Sequence, residues 1–260
     1  MLRSYLKFTI VAAVVCLATD VPNSASAADW GSLKGRIVLD GAPPKVAPLA
    51  VDNKDPFCLQ SKPVNEAIIV GKDNALVNAV VYLRVATGQK VVIHPDYEAK
   101  LKEPVVLNNK GCSFHPHITL VRKDQPLIIK NDDPTGHNTN IAMFAFNQTI
   151  PANDQIEIKA SVAGAIPNPV VCNIHSFMKA HLLSLDHPYM TITGEDGSFE
   201  IKNIPAGPHD FQFWHEAAGY LKNVKLKSGS TDARGRAKLT IGAGQTLDLG
   251  DIKVPASALK

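Results

Sequence analysis

The chain predicts an all-β protein of the Greek-key sandwich kind. Short alternating or β-branched runs recur along its length, Gly, Pro, Asn and Asp break them at regular intervals, and no sustained helical period competes. The first expected strand, Leu33 to Leu39, is stopped by Asp40-Gly41. Ala67 to Val70 and Val77 to Val85 follow as apolar, β-branched runs. Ile118 to Val121 and Leu127 to Lys130 flank a turn at Asp124, and Ile156 to Lys159 alternates in strict period two. Val170 to Cys172 and His181 to Leu185 complete this set. A later group comprises Met190 to Thr193, Ser198 to Ile201, Phe211 to His215, Val224 to Lys227, Leu239 to Ile241 and Leu247 to Val254. Asp196-Gly197 supplies a tight hairpin turn, and Phe199 with Ile201 gives one inward face.

Arg3 and Lys7, an apolar run from Thr9 to Ala18 and the small residues Ala25-Ser26-Ala27 have the form of an export signal. Residues 1–27 are read as that signal, and the rest as a periplasmic or secreted protein. The apolar run is shorter than the about 20 residues a bilayer-spanning helix needs, and no later stretch is longer, so no transmembrane anchor is expected. Val14 and Val15 match poorly the small residues that precede a lipoprotein cysteine, which argues against lipidation at Cys16. The formal net charge is +3 over 260 residues, part of it in the signal, with no basic run interleaved with aromatics. That balance argues against a nucleic-acid partner. The length fits one large or two small domains.

The chemistry is concentrated in Cys172-Asn173-Ile174-His175-Ser176-Phe177-Met178, with Gly136-His137-Asn138 upstream. A thiolate and two imidazoles suit copper in a trigonal plane, and a thioether suits its weak axial position. His137, Cys172, His175 and Met178 are therefore the expected ligands of one blue, type 1 copper ion per chain. Removal of the signal takes away Cys16 and leaves Cys58, Cys112 and Cys172 in an oxidising setting. If Cys172 is a ligand, Cys58 and Cys112 remain to form a disulfide. Spacing alone leaves the pairings with Cys172 open; they would consume the site and leave one exported thiol unpaired.

The run Ile118 to Asp133, ending in His137-Asn138, resembles the strand, turn and strand that deliver the first ligand in cupredoxins. That resemblance implies that Asn138 pins the two ligand loops together through hydrogen bonds. The Cys172, His175, Met178 spacing resembles the short ligand loop of amicyanins, tighter than in plastocyanins or azurins. Asn173-Ile174 stands where Thr-Pro or Ser-Pro is frequent, and Asp124 occupies a turn position where glycine is usual. Gly35 to Gly41, Asn78 to Leu83, Thr193 to Ile201 and Ile204-Pro205-Ala206-Gly207 resemble a carboxypeptidase regulatory-like, transthyretin-like sandwich. These segments lie on both sides of the copper section, so a discontinuous sandwich of residues 28–102 and 188–260 is expected, with a cupredoxin at 103–187 inserted. The runner-up layout places the units in series.

Cys112 to His117, His187-Pro188-Tyr189 and Trp214-His215-Glu216 resemble motifs of exported proteins that join these two modules, some described as methylamine-utilisation proteins. His117, His187 and His215 are read as hydrogen-bonded interface residues in preference to a second metal site, because no tight ligand spacing joins them. His94, His181 and His209 read as surface or turn residues. The cupredoxin resemblance implies a one-electron carrier serving redox protein partners, with the exposed edge of His175 and neighbours such as Phe177 as the electron exit. The alternative is an envelope copper-binding, storage or docking module with no electron-transfer role. Val171 and Asn173 flank Cys172 where copper oxidases and nitrite reductases place a histidine, and no nucleophile elbow, phosphate loop or zinc-protease helix occurs. No enzyme is therefore expected.

Overall fold

The computed structural model describes residues 29–51 and 55–260; the export signal expected at residues 1–27 lies outside the described residues. In chain order the elements are β1 (Trp30–Asp40), α1 (Pro56–Ser61), β2 (Val80–Arg84), α2 (Pro95–Ala99), β3 (Val105–Lys110), β4 (Ser113–His115), β5 (Ile118–Arg122) and β6 (Pro126–Asn131). There follow β7 (His137–Ile141), β8 (Phe146–Ile150), β9 (Gln155–Lys159), β10 (Asn168–Val171), β11 (Lys179–Leu185), β12 (Met190–Ile192), β13 (Ser198–Pro205) and β14 (Gly207–His215). The chain closes with the two-residue strands β15 (Gly219–Tyr220), β16 (Lys225–Leu226) and β17 (Gly229–Ser230), then β18 (Arg236–Ile241) and β19 (Thr246–Pro255). The molecule is all-β, as the sequence predicts.

Two pairs of sheets organise these strands. One sheet runs β13-β1-β19, and another runs β12-β2-β14-β15 with β18 on β14. They enclose a core of Leu33, Ile37, Val81, Phe199, Phe211, Phe213 and Ile252. The other pair is β5-β11-β10-β7-β8 and β4-β3-β6-β9, around Leu107, Phe114, Leu127, Ile129, Val170 and Leu182. A third cluster, including Val80, Tyr82, Ile118, Leu183, Leu185 and Trp214, joins the outer face of β2 and β14 to β5 and β11. The Tyr82 hydroxyl donates to the Ala165 carbonyl at 2.7 Å across the same seam.

Period-two burial explains the strands that were legible. In β6, Leu127, Ile129 and Asn131 point inward, and their neighbours are partly exposed. Asp124, at the turn before β6, has φ +68°, the left-handed conformation in which glycine is usual. Gly197 has φ +76°, and a Cβ there would lie 2.4 Å from the Ile37 carbonyl oxygen, so only glycine fits this hairpin. Some expectations differ. Ala67 to Val70 forms no strand and is reduced to a single bridge from Val70 to Leu76. The strand expected from Val77 begins at Val80, because Asn78 takes φ +63°. Val224 to Lys227 shrinks to β16.

Candidate metal centre

His137 opens β7, and Cys172 directly follows β10. The two strands are antiparallel neighbours with Asn140 opposite Val171, which brings the two loops to one end of the sheet. There His137, Cys172 and His175 place their ligand atoms within 4.8 Å of one another, all three residues buried. The Nδ1 atoms of the two histidines are 3.0 Å apart, and Cys172 Sγ is 3.8 Å from His175 Nδ1. The sulfur accepts the backbone N–H groups of Asn138 and His175, each at 3.3 Å. Burial alone would raise the Cys172 thiol, but the hydrogen bond with His137 and the backbone donors outweigh it and lower its pKa.

The ligand loop is closed by its own backbone. Cys172 N–H donates to the Met178 carbonyl at 3.2 Å, and Met178 N–H donates to the His175 carbonyl at 2.9 Å. The Met178 side chain is buried in the cluster that contains Cys172 and Phe177. Asn138 bonds to the Cys172 loop and to β8: its Oδ1 accepts Asn173 N–H at 3.1 Å, and its Nδ2 donates to Asn147 at 2.8 Å.

Behind each histidine stands a carboxylate that the sequence reading did not single out. Asp133 Oδ2 is 2.8 Å from His137 Nε2 and also accepts Cys112 N–H at 2.8 Å, while Oδ1 accepts Gly111 N–H at 2.6 Å. Burial opposes charge on His137, yet Asp133 and Cys172 push its pKa up to about 9. Asp55 caps α1, its Oδ1 accepting the Phe57 and Cys58 N–H groups, and its Oδ2 accepts the Thr135 hydroxyl. That Oδ2 is 3.3 Å from His175 Nε2. Asp133, four residues before His137, was a local signal; Asp55 lies too far away in sequence to be one.

The disulfide joins Cys58 to Cys112, with Cys172 left free and buried. It holds α1 against the loop that carries Gly111. One expectation is corrected here: His175 is 5 % exposed and Phe177 8 %, so neither offers an open edge. Asp55 and α1 cover the histidine. Ile174, in the same loop, is 52 % exposed.

The remaining histidines separate. His187 Nδ1 accepts Tyr189 N–H at 3.2 Å, and its ring stacks on Tyr189. His215 Nδ1 accepts Ala217 N–H, and Nε2 lies 3.2 Å from the Val77 carbonyl. His117 contacts Glu216 directly and has His181 beside it. His181 is therefore no ordinary surface residue, in contrast to the sequence reading. His94 caps α2, and His209 bonds the Pro205 carbonyl.

No protein-family model matches the chain, and no curated protein matches it. Among solved structures it is similar in part to a copper-containing nitrite reductase from Thermus scotoductus SA-01, at 19 % identity and TM-score 0.29, over 38 % of this chain and 24 % of that one. The chain thus spans about a quarter of that enzyme. Amicyanin from Paracoccus versutus is similar at 14 % identity and TM-score 0.28, over 40 % of this chain and 96 % of its own. A purple cupredoxin from Nitrosopumilus maritimus is similar at 16 % identity and TM-score 0.26, over 31 % of this chain and 97 % of its own.

Proposed function

We propose that the chain is an exported protein that holds one type 1 copper ion through His137, Cys172, His175 and Met178 and carries single electrons between redox protein partners. The observation that carries this reading is the convergence of two imidazole Nδ1 atoms on a sulfur that accepts two backbone N–H groups. The donors fit copper by type: one thiolate, two imidazoles and a buried thioether. When bound, copper supplies a one-electron couple delocalised onto the thiolate. The hydrogen bond with His137 and the backbone donors lower the pKa of the Cys172 thiol, which favours the thiolate that a metal would need. Asp133 and Asp55 fix the orientation of the two rings, with Nδ1 turned inward and Nε2 turned to the carboxylate. A metal taking a His137 nitrogen would displace the proton that Asp133 and Cys172 help this ring to hold.

We read residues 103–187 as the copper-binding unit and 28–102 with 188–260 as an accessory sandwich for folding support or docking. Sheets shared between β1, β13 and β19, and between β2, β12 and β14, support that reading. The flanks of Cys172 favour a carrier over an enzyme, since Val171 and Asn173 offer no histidine bridge to a second copper. One observation favours the alternative, a module that holds copper without an electron partner: the His175 edge is covered by Asp55.

The deciding experiment is the visible and paramagnetic resonance spectrum of residues 28–260 after addition of Cu(II), followed by voltammetry. An intense band near about 600 nm, from thiolate-to-copper charge transfer, is expected, together with narrow copper hyperfine splitting. A colourless protein with a titratable Cys172 thiol rejects the site. A blue protein without reversible one-electron exchange leaves copper holding as its role.

A further inference from the structure

His117 stands immediately before β5, and His181 lies on β11, three residues after Met178. The two strands are parallel with Ile118 opposite His181, and His181 N–H donates to the His117 carbonyl at 2.9 Å. Backbone pairing therefore fixes the two imidazoles as neighbours, with ring centroids 6.5 Å apart. The third member, Glu216, follows β14 and comes from the other pair of sheets. Its carboxylate contacts His117 Nε2, and Oε2 lies 3.6 Å from His181 Nδ1. Glu66 Oε2 is 3.6 Å from the opposite nitrogen of His117, Nδ1. Trp214 holds the His181 ring edge-on at 5.1 Å.

We propose that His117 Nε2, His181 Nδ1 and the Glu216 carboxylate form a second metal site, for a divalent first-row transition ion such as zinc, with Glu66 orienting His117 from behind. Four features support it. The three ligand atoms lie within 4.8 Å of one another, and all three side chains are largely buried. Two imidazole nitrogens and one carboxylate oxygen are the donor set of open zinc sites. His181 Nδ1 is buried and has no hydrogen-bond partner among the described residues, although the Glu216 carboxylate faces it at 3.6 Å, just beyond bonding range; a metal ion between them would satisfy both. Glu66 Oε2 stands 3.6 Å from the unpartnered far nitrogen of His117, Nδ1, close to the position from which a carboxylate sets the tautomer of a ligating histidine. A cavity of about 390 Å³ adjoins His117, Glu66 and Glu216 and continues to Ser176, Phe177 and Met178, leaving room for a water or small ligand on the open side.

A simple ion pair needs one histidine for one glutamate. Here two imidazoles share one buried carboxylate, and a second carboxylate stands behind. The site does not depend on the copper reading, since it shares no residue with the first centre.

Cobalt(II) titration of the full mature chain tests the proposal. We expect two bound ions per chain: one with a thiolate charge-transfer band from Cys172, and one with ligand-field bands only. Glu216→Gln, which keeps the side-chain shape, and His181→Ala should each abolish the second ion and leave the thiolate band, which also certifies the fold. Glu66→Gln should weaken the second ion about 10- to 100-fold. An ion that survives Glu216→Gln unchanged, or a wild-type chain that takes up only the thiolate-bound ion, overturns the proposal. A Glu216-dependent ion with no thiolate band anywhere upholds it and defeats the copper reading instead.

Discussion

Asp55 Oδ2 sits 3.3 Å from His175 Nε2, so a carboxylate covers the outer edge of the histidine that sequence reasoning leaves open. The same side chain caps α1, whose Cys58 is bonded to Cys112. On the proposed carrier role, electron entry through His175 would pass Asp55 or the exposed side chain of Ile174 in the same loop.

Asp55→Asn tests this cover. Asparagine caps a helix as well as aspartate does, so stability should change by less than about 1 kcal/mol. Loss of the carboxylate makes the His175 ring a weaker donor, so Cu(II) affinity should fall about 10- to 100-fold. The reduction potential should rise accordingly. An unchanged potential in voltammetry shows that Asp55 does not tune the site.

Met178→Leu should retain copper and colour and raise the potential, because it removes a weak axial donor while the backbone hydrogen bonds of residue 178 persist. Metal analysis that finds the copper lost sinks the axial assignment. Cys172→Ser should abolish the intense blue band altogether.

Asn138→Ala removes the acceptor of Asn173 N–H and the donor to Asn147. With Asn138 buried, the expected loss is about 1–3 kcal/mol in urea unfolding, together with broadened copper hyperfine lines as the two loops separate. A well-ordered site in this variant argues against the linking role.

The disulfide closes a loop of 54 residues. Replacing Cys58 and Cys112 by alanine should cost about 2–4 kcal/mol in denaturant unfolding. The change should also disturb both histidines at once, since Asp55 lies three residues before Cys58 and Asp133 accepts the Cys112 N–H. A copper spectrum unaltered by the double substitution shows that the carboxylates are held independently of the bridge.

Acid sensitivity follows from His187. Burial pushes its pKa down to about 4, below the usual 6.5, and its Nδ1 serves as an acceptor for Tyr189 N–H. The unfolded chain therefore binds this proton first. The contribution is fully present above about pH 6.5 and is lost as pH falls toward 4, by roughly 2–3 kcal/mol at pH 4.5. His187→Gln should flatten the wild-type fall in stability between pH 7 and 4.5 by that amount; parallel pH profiles contradict it.

The meeting of His137, Cys172 and His175 was legible because Cys172 and His175 stand three residues apart in one loop with Met178, and Gly136-His137-Asn138 is a recognisable partner upstream. Asn138 and the Cys58–Cys112 bridge were legible for related reasons, adjacency to His137 and the count of exported thiols. Asp55 and Glu216 were not, because each reaches its histidine from another part of the chain. β7 was missed because His137-Asn138-Thr139-Asn140 offers no apolar alternation, yet His137, Asn138 and Thr139 are buried. His181 hid for a simpler reason: only the pairing of β11 with β5 sets it beside His117.

β1 pairs in parallel with β19, so Ser32 finds Thr246 across most of the length of the chain. Strands β3 to β11, by contrast, are drawn from one continuous segment. Contacts of such different sequence separation form on different time scales, the local ones first. On folding, His137, Cys172 and His175 are thus brought together by the more local contacts while β1 still waits for its last partner. Glu216 reaches the two histidines from the other pair of sheets, so an ion held among the three would mark the joining of the two halves.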